Sequence, residues 1–156
     1  MSVTPVIVCG QSEEVGKAFS HALKPDFEVI YFTTSPDSAL TDIPTVLKGS
    51  IPTSTSSSTL VGSGNLSHGT PKAVIISAPA YDDLWVVALR QELLQMAGKH
   101  VIILKPDASG YADGGAVGDK AAADKAKVAA EHAVKLLNKL DDEGKLDGDE
   151  DGEYVY

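Results

Sequence analysis

The stretch Val6–Leu23, VIVCGQSEEVGKAFSHAL, constrains the fold most, because it changes periodicity across a single glycine turn. Val6 to Cys9 is an unbroken apolar run of strand type. After Gly10, the residues Val15, Ala18, Phe19, Ala22 and Leu23 recur at i, i+3, i+4, i+7 and i+8, the stripe of a helix packed on a sheet. Pro25 ends that helix. A strand that feeds a helix in this way aims backbone N–H groups and the positive end of a helix dipole at whatever lies beyond the strand. Glu13 and Glu14 stand where an anion would approach. Each carboxylate stabilises the helix N-terminus by about 0.3–1 kcal/mol and repels an anionic guest.

The same alternation continues. Glu28 to Thr33 reads as a second strand, and Ser35-Pro36-Asp37 opens a short helix through Leu47. Ala73 to Ser77 and Val101 to Leu104 read as third and fourth strands. Between them the spacing predicts a helix from about Asp82 to Ala97, with Trp85, Ala88, Leu89, Leu93 and Met96 on one face and Gly98 as its stop. A long helix is expected from about Asp119 to Leu140, carrying Ala129, Ala133, Leu136, Leu137 and Leu140 and packing across the sheet or against a partner. Continuous apolar strands separated by helices imply a parallel sheet covered on both faces. The fold class expected is therefore α/β: a three-layer, Rossmann-like parallel sheet of about four to five strands flanked by helices.

Two stretches break the pattern. Gly49 to Lys72 has eleven Ser or Thr residues in 24 positions, which predicts a mobile loop where a more regular fold places another strand. Ser109 to Gly118 has four glycines and reads as a flexible connection or lid. Residues 1–140 are expected to form a single domain and 141–156 an acidic tail.

Charge and cysteine use narrow the function classes. The net charge of −9 is concentrated in Asp141–Tyr156, which carries −7 and leaves −2 on the first 140 residues. No basic patch exists for nucleic acid. The tail reads as solvated, although its end, EYVY, is apolar enough to dock on the body or on a second subunit. One cysteine, Cys9, excludes an intrachain disulfide and suits a reducing compartment. MSVTPVIVCG lacks the basic leader and long apolar run of a secretory signal, and no run approaches the roughly 20 apolar residues that cross a bilayer. The expectation is a cytoplasmic protein that engages neither membrane nor nucleic acid. Asp147–Gly152 matches the D-x-D-x-D-G start of a calcium loop, but the sequence has no residue at the loop's twelfth position for the bidentate Glu, so no metal site is expected.

A resemblance sharpens the fold. The turn Gly10 to Gly16 and the segment AVIISAPAYDDLWVVALRQELLQMAGKHVIIL resemble the corresponding parts of NmrA-like atypical short-chain dehydrogenases. The whole chain resembles a group of small fungal Rossmann-like proteins, through CGQSEEVGKA, EVIYFTTSPDS, IPTVLKG, GSGN, YDD and the closing DGEYVY. That resemblance implies a single-domain protein and brings no catalytic residues with it. Departures from the dehydrogenase pattern argue against redox chemistry. Glu13 takes the place of the middle glycine of G-x-x-G-x-x-G, and the second strand ends in Thr33-Thr34-Ser35 without an acidic residue or arginine for an adenosine ribose or its phosphate. No Tyr-x-x-x-Lys pair is present, and no cofactor is expected.

Open α/β sheets place their ligand crevice at the strand carboxyl ends. There the sequence supplies Cys9, Gly10, Ser12, Thr33, Thr34, Ser77 and Asp82 as candidate substrate-binding residues, and Glu13, Asp37, Tyr81 and Lys105 as candidate catalytic ones. Carboxylates converging in a partly dry crevice repel one another, which raises the pKa of at least one toward the range of general acid–base work. Glu13 or Asp37 would act as base, and Tyr81 or Lys105 would polarise an oxygen. Helix capping is the competing account of Ser12, Asp37, Asp82 and Asp83, and burial in the core that of Cys9. No histidine pairs with a Ser or Cys as a triad.

Three classes of function stay open. The first is a non-redox enzyme on a small-molecule ligand, hydrolysing or cyclising an ester or lactone, in fungal secondary metabolism. The second is a non-catalytic homodimeric binding or scaffold protein, suggested by Val86, Val87 and Leu94 off the main stripe of their helix. The third is a degenerate NAD(P)-binding protein.

Overall fold

The computed structural model describes residues 4–10, 13–23, 27–33, 36–48, 71–76, 83–97, 102–105, 119–144 and 153–155. The elements are β1 (Thr4–Cys9), α1 (Glu13–Leu23), β2 (Phe27–Thr33), α2 (Pro36–Leu47), β3 (Ala73–Ile76), α3 (Asp83–Glu92), which widens into a π-helical turn over Leu93–Ala97, β4 (Ile102–Lys105), α4 (Asp119–Asp142) and β5 (Glu153–Val155). All neighbouring strands are parallel, in the order β2-β1-β3-β4-β5.

The strands are apolar on both faces because helices cover both. Val6, Val8, Phe27, Val29, Phe32, Ala73, Ile75, Ile102 and Leu104 face a layer made by α1 and α4, with Phe19, Leu23, Ala130, Ala133, Leu137 and Leu140 opposite them. Ile7, Cys9, Ile30, Tyr31, Val74, Ile76 and Ile103 face a layer made by α2 and α3, built from Ala39, Ile43, Val46, Leu47, Trp85, Val86, Leu89 and Leu93. This is the expected three-layer α/β architecture. Its strand order is the flavodoxin-like 2-1-3-4-5 of doubly wound sheets, and equals the dinucleotide-fold order 3-2-1-4-5-6 with the third strand removed. The mobile loop expected over 49–72 falls almost wholly outside the described residues. At its end Pro71 is buried and the Lys72 N–H donates to the Pro5 carbonyl at 2.9 Å. The glycine-rich stretch 109–118 also lies outside them.

A bulge sets which residues of β2 see which layer. Val6 pairs with Val29 but Ile7 pairs with Tyr31, so Ile30 is an extra residue. Strict alternation would put Tyr31 beside Val29; the bulge turns Tyr31 to the α2 side and Phe32 to the α1 side. Phe32 then lies flat on Gly16 of α1. A Cβ at Gly16 would sit 2.8–2.9 Å from three carbons of the Phe32 ring, so α1 approaches the sheet as closely as it does only because residue 16 is glycine.

The long helix α4 packs along α1 and over the sheet, and stops where Gly144 takes a positive φ of 74°. The acidic tail is not solvated throughout. Its end adds β5 to the edge of the sheet, with Ile103, Leu104 and Lys105 paired to Glu153, Tyr154 and Val155 and with Tyr154 half-buried against the α1/α4 core. Of the closing EYVY, Glu153 to Val155 pair with β4, and Tyr156 lies outside the described residues.

Candidate functional site

Because every strand is parallel, the carboxyl ends of β1 to β4 share one edge of the sheet. Cys9 is level with Thr33 on one side and Ile76 on the other, and Ile75 is level with Leu104, so Lys105 continues the row. The chain leaves β1 toward β2 and later returns to β3 on the opposite side of β1. That reversal, between β1 and β3, is where doubly wound sheets open their ligand crevice.

The ends of β1 and β2 at this point are bonded to each other. Gly10 is buried and its N–H donates to the Thr33 carbonyl at 3.1 Å, which extends the β1–β2 ladder one residue past the strand. This amide is committed to the sheet. Thr33 is itself fully buried, level with Cys9. Cys9 is fully buried in the α2/α3 layer, and burial pushes its thiol far above the ordinary value of 9.0. A neutral, enclosed thiol is neither a nucleophile nor a group that a soluble ligand touches, so Cys9 is a core residue.

The charged candidates divide by position. Glu13 is the first residue of α1, directly beyond the β1 turn. Asp37 is exposed in the first turn of α2, which begins at Pro36, and there it complements the helix dipole. Lys105 closes β4, half-buried and in register with Val155. Ser12, Thr34, Ser77, Tyr81 and Asp82 lie outside the described residues. Of the histidines, His21 and His132 are exposed on α1 and α4. Among the described residues no group of three or more His, Cys, Asp or Glu side chains is placed to hold a metal ion. No helix among them is long and apolar enough to cross a membrane.

One polar pair was missed by sequence reasoning. The Tyr31 hydroxyl donates to Asp42 Oδ2 at 2.6 Å, linking β2 to α2, and both residues are buried. Asp42 sits on α2 one position before Ile43, among apolar residues, and only its spacing with a buried tyrosine across a bulged strand reveals the bond. It fixes α2 over the sheet and so sets where Asp37, at the start of that helix, stands.

The second face expected on α3 divides. Val86 is fully buried, whereas Val87 and Leu94 are each 52% exposed and Leu84 is 80% exposed.

Comparison with known proteins adds one partial likeness. A 44-residue stretch is 39% identical to Kojic acid related protein 6 of Aspergillus oryzae, covering 28% of this chain and 28% of that protein. No family model matches the chain. No solved structure matches it significantly.

Proposed function

We propose that the chain is a non-redox enzyme acting on a small metabolite in fungal secondary metabolism, with its site in the crevice beyond β1 and β3. The observation that carries the reading is the switch in strand order at β1/β3, with Glu13 opening the helix on one side and Lys105 closing β4 on the other. A carboxylate at a helix start competes with phosphate for the same dipole and amides, which disfavours a nucleotide guest. The partial likeness to Kojic acid related protein 6 supports the metabolic setting.

In this reading Glu13 or Asp37 takes a proton from water, or from a substrate hydroxyl, as its oxygen attacks an ester or lactone carbonyl. Lys105, with Tyr81, stabilises the oxyanion that forms, and the alcohol leaves with a proton returned by the carboxylic acid. A cytoplasmic location belongs to the same proposal.

The test is turnover of a panel of small esters and lactones. Glu13→Gln and Lys105→Met should each lower kcat/KM by about 10²–10⁴ with the melting temperature retained, the range for a lost general base or oxyanion donor. Unchanged turnover in both variants would sink the reading. Millimolar NAD(P)H should leave the melting temperature unmoved; a rise would favour the degenerate nucleotide-binding alternative, because a ligand held by the native state adds RT ln(1 + [L]/Kd) of stability. The non-catalytic homodimer is the second reading, favoured by the exposed Leu84, Val87 and Leu94 on α3.

A further inference from the structure

The hand of each crossover follows from two facts: which face carries its helix, and which way the chain steps along the sheet. The unit β1–α1–β2 has its helix in the α1/α4 layer and steps away from β3. The units β2–α2–β3 and β3–α3–β4 have theirs in the opposite layer and step in the opposite direction, so all three share one hand. The unit β4–α4–β5 differs. Its helix returns to the α1/α4 layer, yet the chain continues in the direction of β3 to β4. Its hand is therefore opposite to the other three. Crossovers between parallel strands are right-handed in about 98% of cases, because a right-twisted strand followed by a helix packs back onto the sheet most readily that way. The odd crossover is the left-handed one.

The strand that requires it is also the least anchored. β5 has three residues against seven in β2, and among the described residues its one strand neighbour is β4. Nine residue steps separate Gly144 from Glu153, a reach of about 30 Å at full extension. The rule of hand binds only within one chain. A strand of the same sequence arriving from another molecule fills the same seat, with the same Tyr154 against the same core, and has no handedness to satisfy.

We propose that the outer edge of β4 is a strand-acceptor site whose occupant in solution is the Glu153–Val155 strand of a second copy of this chain. Two chains exchanging this strand reciprocally close into a two-fold dimer, since each offers one donor strand and one acceptor edge. The exchange keeps every β4–β5 pairing and removes the left-handed crossover from both chains. It does not depend on what the crevice binds.

Lys105 and Val155 are level across the β4–β5 pair, so the double variant Lys105→Cys/Val155→Cys reports which chain supplies the strand. The natural Cys9 is fully buried and does not compete for oxidation. On a non-reducing gel after mild oxidation, a covalent dimer is expected; a disulfide within one chain, or none, would overturn the proposal. Light scattering on the unmodified chain from micromolar to millimolar concentration should give twice the single-chain mass, and Tyr154→Asp should give the single-chain mass with its circular dichroism retained. A single-chain mass for the unmodified protein overturns the exchange, and so does a dimer that survives Tyr154→Asp.

Discussion

The two ends of the sheet are built from the same parts with crossovers of opposite hand. At one end, β1–α1–β2 packs its helix onto the sheet through the Gly16–Phe32 contact, with a seven-residue outer strand and the favoured hand. At the other, β4–α4–β5 uses a helix more than twice as long as α1 to secure a three-residue strand with the disfavoured hand. On the strand-exchange proposal, the hand of the connection and the number of paired residues, rather than helix length, set how firmly an edge strand is held. The first end is an integral unit of the fold, and the second is a body onto which a strand is added.

Substitutions at the two ends should separate accordingly. The largest loss is expected for Phe32→Ala, which empties a fully buried ring site between α1 and the sheet and should cost about 3–5 kcal/mol in urea unfolding. Tyr31→Phe comes next, at about 1–3 kcal/mol, because Asp42 keeps its burial but loses its donor. Gly16→Ala should cost about 1–2 kcal/mol: overpacking against Phe32 outweighs the gain in helix propensity. Adding Phe32→Leu to that variant should relieve part of the cost, and strictly additive effects would mean that the two residues do not press on each other. Tyr154→Ala, at the other end, should change stability by less than about 1 kcal/mol, since a segment that opens before the body contributes no more than its own opening free energy. A cost as large as that of Phe32→Ala would erase the contrast.

Cys9 supplies a pH test of the core between the two ends. Its folded pKa is raised, so above the ordinary thiol value of 9.0 the unfolded chain releases a proton that the folded chain keeps. The contribution is therefore whole below that pH and declines as pH rises past it. The alkaline fall in stability should be steeper for the natural chain than for Cys9→Ala by about 1.4 kcal/mol per pH unit. Equal slopes would mean that the thiol reaches solvent.

Much of this contrast was legible in the chain, and the rest was not for identifiable reasons. The strand-to-helix switch at Gly10, the helix beginning near Ser35-Pro36-Asp37, the long helix and the four apolar strands all follow from periodicity, which needs only near neighbours. β5 escaped because three residues flanked by acidic ones give no periodic signal, and pairing with β4 is decided by tertiary contact. The Tyr31–Asp42 bond escaped because alternation by two assigns Tyr31 to the wrong layer, and the bulge at Ile30 shows only once β1 and β2 are aligned. The carboxyl ends of β1, β2 and β4 share one edge, which follows from strand polarity alone and assigns no role to Gly10, Thr33 or Lys105. Its position at a strand end left the burial of Cys9 open, because that burial is set by the α2/α3 layer packed on its face of the sheet.

The contrast between the two ends is tested most directly by native-state hydrogen exchange of the intact chain. Amides of Val6–Cys9 and Val29–Thr33 should exchange only with global unfolding, and those of Glu153–Val155 should exchange orders of magnitude faster through opening of β5 alone. Equal protection at both ends would contradict the account.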